Sequence, residues 1–156
     1  MFGIGAKAKA KKLLSVIGRF SSILTQQQDV FPNGDGNQED IECVLTGLSC
    51  FLATGFANDN DLAYELVPAY QKKIMPTVNK QEYDRRSQQV QSYYTSFREK
   101  AITIQESRKD WLMSLVEEFA NMIAGYLSIN NTYDCHTTLC ACVIELIDNI
   151  NPKLHL

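Results

Sequence analysis

The densest chemistry-bearing stretch of this 156-residue chain is CHTTLCAC, residues 135–142. Cys135, His136, Cys140 and Cys142 are thiol and imidazole groups, the types that hold zinc tetrahedrally or, as a Cys–His pair, generate a thiolate nucleophile. Spacing decides what they can do together. At about 100° per residue on a helix, His136 and Cys140 share one face, Cys135 and Cys142 share another, and Cys140 diverges from Cys142 by about 200°. One tetrahedral ion cannot collect all four unless the turn unwinds. Cys135 and Cys142 also fall on the stripe of Leu139 and Leu146, where a thiol packs as a small hydrophobe. These four residues are the metal-ligand candidates of the sequence. The expectation is core thiols beside a histidine near a helix start, with no metal and no cofactor.

Other spacings lead to less. Neither His-Glu-x-x-His nor Glu-x-x-His occurs, so the zinc-protease and di-iron patterns are missing. GIGAKA (residues 3–8) matches a dinucleotide fingerprint in letters, but no strand precedes it. NGDGNQED (residues 33–40) resembles a calcium loop until Gln38 takes the glycine position and Val44 the place of the bidentate glutamate. Glu117 and Glu118 are adjacent acids read as a solvated helix face. Tyr83, Tyr93, Tyr94 and Tyr126 lie on one long helical region, where rings pack in a core and hydroxyls reach its rim. No catalytic constellation results. The protein is expected not to be an enzyme and to have no small-molecule substrate.

Charge carries more information. Formal net charge is −3, unevenly spread. GIGAKAKAKKLLSVIGRF, residues 3–20, holds Lys7, Lys9, Lys11, Lys12 and Arg19, and the first acidic residue is Asp29. Those five cations are the candidate partner or membrane contacts. The net-acidic remainder repels a phosphate backbone, so no nucleic-acid partner is expected. A basic amphipathic helix can lie on anionic lipid. The run is also basic, Ser-containing and acid-poor like a mitochondrial presequence, whereas Arg19 interrupts the apolar core of a secretory signal. No run of about 18 apolar residues exists to span a bilayer. Five cysteines, odd in number and irregularly spaced, do not form a disulfide framework and point to a reducing, cytoplasmic compartment.

Helices must position these groups. Apolar residues make up 45% of the chain, enough for one domain with a real core. Breaks at residues 26–40, 55–61, Pro76 and 128–134 separate the periodic segments. In the first, Leu13, Ile17, Phe20 and Leu24 form a stripe, with Lys7, Lys11 and Ser15 on the opposite side. Residues 1–12, rich in Ala and Lys with no apolar stripe, read as a flexible basic N-terminal arm, and residues 13–156 as a single helical domain. The second segment, opened by Asn37 or Gln38, is apolar nearly all round from Ile41 to Ala53, as a central helix is. The third has Leu62, Leu66, Tyr70 and Ile74 on one face, and Pro68 inside it is expected to kink or split it.

Val90, Tyr94, Phe97, Ala101, Ile104, Arg108, Trp111 and Leu115 then step by fours and threes, a heptad-like seam. One helix over residues 81–127 would be about 70 Å long. Thr103-x-x-Glu106 and Ser107-x-x-Asp110 resemble helix starts and are compatible with a break or bend near residues 105–109, so the pattern leaves both one helix and two open. A last segment carries Leu139, Cys142, Val143, Leu146, Ile147 and Ile150 to Pro152.

The class is therefore all-α, an antiparallel helical bundle of five or six helices with one long helical region. The function expected is that of a non-enzymatic small helical interaction protein, an adaptor, chaperone-like or immunity-like accessory factor. Its partner would be another protein or a second copy in a homodimer. The alternatives are a peripheral membrane-associated protein using its basic amphipathic N-terminal helix, and a metal- or thiol-dependent protein using residues 135–142.

Overall fold

The computed structural model describes residues 2–107 and 111–152. They form six helices and no strand: α1 (Phe2–Gln26), α2 (Gln38–Gly55), α3 (Asn60–Ile74), α4 (Lys80–Ser107), α5 (Trp111–Tyr126) and α6 (Tyr133–Ile150). Short polar side chains start four of them, each accepting from an unpaired first-turn amide. Asn37 accepts from the Asp40 amide at 3.0 Å, Asp59 from Leu62 at 3.1 Å, Asn79 from Glu82 at 2.8 Å and Thr132 from Cys135 at 3.3 Å.

The all-α bundle is built around α2. Every residue from Ile41 to Ala53 is buried, and α1, α3, α4 and α6 all pack on this one helix. A helix covered on all sides has no polar face to offer water, which is why its pattern is apolar nearly all round. A close crossing lies over Gly47. A Cβ there would sit 2.6 Å from the Tyr93 Cβ and 2.9 Å from the Val90 carbonyl oxygen, so the missing side chain lets the α4 backbone touch α2.

Pairings fix the directions of the chain. Cys43 meets Arg86 and Gln89, and Gly47 meets Val90 and Tyr93, so α2 and α4 run parallel. Lys9 meets Asp59 and Gly18 meets Lys73, so α1 and α3 also run parallel. The long seam folds back on itself. Phe97 and Phe119 would be about 33 Å apart on one straight helix, yet their rings are 5.0 Å apart, and Tyr93 and Tyr126 are 4.7 Å apart. Thus α4 and α5 form an antiparallel hairpin. Arg108, placed on the seam by its spacing, lies outside the described residues.

One local expectation changes, and of the two outcomes expected at Pro68 one is excluded. The first helix starts at Phe2 rather than near Leu13, and Ala6 and Ala10 are 5% and 0% exposed. The stretch read as a loose arm thus has a buried stripe, made of alanines too small to register as an apolar face. Pro68 does not split α3, which runs unbroken from Asn60 to Ile74. Its ring removes the donor for the Tyr64 carbonyl, but Pro68 and Tyr64 are both exposed, so water can replace that donor.

A buried guanidinium ties α2 to α4. Arg86, 7% exposed, donates from Nε to Glu82 Oε1 at 2.7 Å and lies 3.6 Å from Asp40 Oδ1. Its other Nη, and the Tyr70 hydroxyl of α3, are buried without a well-formed hydrogen bond. Burial, with the Cys43 thiol beside it, pushes the Tyr70 phenol well above its ordinary value.

Gly47→Ala is expected to lose about 1–3 kcal/mol of stability in urea unfolding through overpacking. Gly125→Ala, with nothing within 4 Å of the added Cβ, should be neutral or gain up to about 1 kcal/mol from helix propensity. Hydrogen bonding from Arg85 lowers the Glu82 carboxyl to about 2. The sign follows from a native value below the unfolded one: the contribution is present above the ordinary carboxyl range and lost as pH falls through about 2. Thermal melts between these limits should show a shallower acid decline for Glu82→Gln than for the wild type.

Candidate functional site

Residues Lys7, Lys11 and Ser15 recur every fourth position and therefore share one face of α1. That face borders α3 rather than open solvent. Between the two parallel helices runs a groove of about 580 Å³. Leu14, Pro68 and Ala69 form its apolar lining, and Lys7, Lys11, Lys72 and Lys73 contribute the cations, against one acid, Glu65. Lysine stems cover apolar surface while their ammonium groups stay in water, so the lining is greasy below and positive above.

The four cations are not equivalent. Lys73 Nζ is 3.4 Å from Glu42 Oε1, which also accepts from Gln38 Nε2 at 3.1 Å. This pair packs over Gly18, where a Cβ would sit 3.3 Å from Lys73 Nζ. Lys7, Lys11 and Lys72 have no ion-pair partner among the described residues. The groove therefore carries three ammonium groups without an ion-pair partner along its length and one held in place by Glu42. Ser15 donates its hydroxyl to the Lys11 carbonyl at 3.3 Å, the usual back-bond of a helical serine. The arrangement suits binding: it gathers charge and apolar surface but pairs no nucleophile with a base.

The remaining predicted contacts fall elsewhere. Lys9 and Lys12 line a second groove of about 490 Å³ with Leu13, Asp59, Leu62 and Asp148, between α1, α3 and the end of α6. Lys9 pairs with Asp59 at 3.5 Å, so this side of α1 finds acids of its own chain. Arg19 is exposed and lies outside both linings. Four of the five basic residues are thus divided by the helix between two grooves. Lys72 and Lys73 complete the first. In the sequence they are legible only as cations suited to the negative end of α3; nothing local reveals that they face α1.

The cysteine–histidine stretch behaves as its helical spacing requires. Cys140 Sγ and His136 Nε2 are 3.5 Å apart on one face of α6. Cys135 and Cys142 are buried on another, in the core with Leu139 and Leu146. Among the described residues no group of three or more His, Cys, Asp or Glu side chains is placed to hold a metal ion. Burial raises all five thiols, and pushes Cys50 and Cys142 up to about 12. At neutral pH they are protonated, the wrong state for a nucleophile.

Alkylation at about pH 8, a little below the pKa of a free thiol, reads this directly. Cys140, the one half-buried cysteine, should label first and slowly, and Cys50 and Cys142 should label only once the protein unfolds. Equal native labelling of Cys142 and Cys140, measured by peptide mass, contradicts the burial.

No family model, curated protein or solved structure matches this chain, so the functional reading rests on the groove itself.

Proposed function

We propose that this chain is a non-enzymatic interaction module that docks an acidic protein partner on its basic α1/α3 face. One observation carries the reading: Lys7, Lys11, Lys72 and Lys73, from two helices distant in sequence, converge on a single apolar-floored groove. Grooves that bind protein segments combine an apolar floor with a charged rim, the rim steering encounter and setting specificity. A reducing, cytoplasmic setting belongs to this reading and is supported by five cysteines in thiol form, four of them buried.

The burial of the α1 apolar stripe favours a protein partner over a lipid surface. Leu13, Leu14, Val16, Ile17 and Leu24 are all in the core, so the side of α1 that would enter an acyl layer is occupied. Among the described residues no helix is long and apolar enough to cross a membrane.

Tagged wild type and a Lys7→Glu/Lys11→Glu/Lys72→Glu variant, purified from the native cell, provide the test. The expected result is a companion chain enriched by the wild type and depleted at least about tenfold by the variant, since each reversed contact is worth up to about 1 kcal/mol at a surface. Circular dichroism should show the same helix content for both. An identical set of companions with the two proteins overturns the reading. So does retention of the wild type on anionic vesicles that the variant loses, which would assign the face to lipid.

A further inference from the structure

Charge is segregated along the chain and then across the fold. Residues 1–28 contain five cations and no acid, whereas residues 111–152 contain Glu117, Glu118, Asp134, Glu145 and Asp148 and neither Lys nor Arg. The first run is α1. The second is the α5–α6 hairpin, closed by Asn131 donating to Asn121 at 2.8 Å. Helix α3 packs on α1, α2 and α4, and α5 packs on α4 and α6, while α6 also touches α1 and α2; no residue of α5 or α6 lines the basic α1/α3 groove.

Part of this charge is met internally, where Lys9, Lys12, Asp59 and Asp148 line one groove. The rest is not. Glu117, Asp134 and Glu145 are exposed, and, like Lys7, Lys11 and Lys72, they have no ion-pair partner among the described residues. Each face also carries exposed apolar side chains of the kind that anchor contacts. Beside the basic groove these are Tyr64, 78% exposed, and Met75, 62% exposed; on the acidic hairpin they are Tyr133, 84% exposed, and Met113, 51% exposed. Tyr64, Pro68 and Met75 lie within about 40° of one another around α3.

We infer that the occupant of the basic α1/α3 face is a second copy of this chain, docked head to tail through its acidic α5/α6 face. This rests on the reading of the α1/α3 groove as a docking surface. Two different patches meet in such a contact, so each added copy leaves one basic and one acidic face open, and assembly proceeds to a ring or an open chain rather than stopping at a two-fold dimer. The attraction is between exposed charges and is screened by salt, with a Debye length of about 10 Å at 0.1 M.

Sedimentation velocity on the purified 156-residue chain tests this without any unknown ligand. Over about 5 to 500 µM in about 50 mM salt, the mass should rise above the 17.6 kDa of one copy, and it should fall back in about 500 mM salt. Lys7→Glu/Lys11→Glu/Lys72→Glu and Glu117→Lys/Asp134→Lys/Glu145→Lys should each weaken self-association at least about tenfold, the combined effect of several exposed charge pairs. Mixing the two variants should restore association, because each brings the intact face that the other lacks. That recovery also shows both variants to be folded. A mass of one copy throughout at low salt, association indifferent to both variants, or a mixture that does not recombine overturns the inference. If the chain stays monomeric while the wild type still captures a companion that the lysine variant loses, this inference falls and the docking face stands; loss of both removes the docking face as well.

Discussion

The structure depends on the complete burial of one helix. Thirteen consecutive residues of α2, Ile41 to Ala53, are enclosed, and four other helices are arranged as their cover. Backbone hydrogen bonds are met within the helix, so the demand falls on side chains, each of which needs a neighbour of the right size. At Gly47 the fit allows no side chain, since α4 occupies the volume a Cβ would take. Thr46 is tolerated inside because a helical hydroxyl can bond back to its own helix, as it does to the Glu42 carbonyl at 2.6 Å, whereas the Ser49 hydroxyl is buried without a hydrogen-bond partner.

Covering α2 determines what the other helices can show to water. Helix α1 lays Ala10, Leu13, Leu14, Ile17 and Leu24 into the core. Its lysines are left on the two flanks, one facing α3 and the other facing Asp59 and Asp148. The groove is thus a by-product of packing two parallel helices side by side, and it is basic because both contribute lysines to its lining. Lys73 is held there by Glu42, an α2 residue only 9% exposed, which links the groove mechanically to the central helix.

What the sequence shows and what it conceals divide along physical lines. Period and punctuation report local structure. The central place of α2 and the shared face of His136 and Cys140 follow from spacing of three, four or seven residues, and the opening of α2 narrows to Asn37 or Gln38, of which Asn37 is the cap. The start of α1 was concealed because Ala6 and Ala10 bury little area and look neutral in any apolar pattern. Whether Pro68 would split its helix was not legible because its cost depends on whether the orphaned carbonyl meets water, which is a property of the surface and not of the helix. The convergence of Lys72 and Lys73 with Lys7 and Lys11 involves residues more than fifty positions apart, and no periodicity carries that information. The fold-back of the long seam was signalled only by weak helix-start patterns, whereas the Phe97–Phe119 contact that enforces it is tertiary.

The same division explains why a basic amphipathic segment need not be a membrane segment. Moving α1 into lipid would rebury its own apolar stripe, so that transfer by itself is nearly neutral. The cost lies with the surfaces it leaves: the sides of α2 and α3 that it covers would face water, at about 25 cal/mol for each Å² of apolar area. Attraction of a lysine to an anionic surface returns about 1 kcal/mol, and two of the lysines already face acids of the chain. A helix whose apolar side closes a core is held by that core, and its charges act from where the bundle puts them. For α1 that place is the rim of a groove, opposite in sign to the hairpin that the last third of the chain presents on another face.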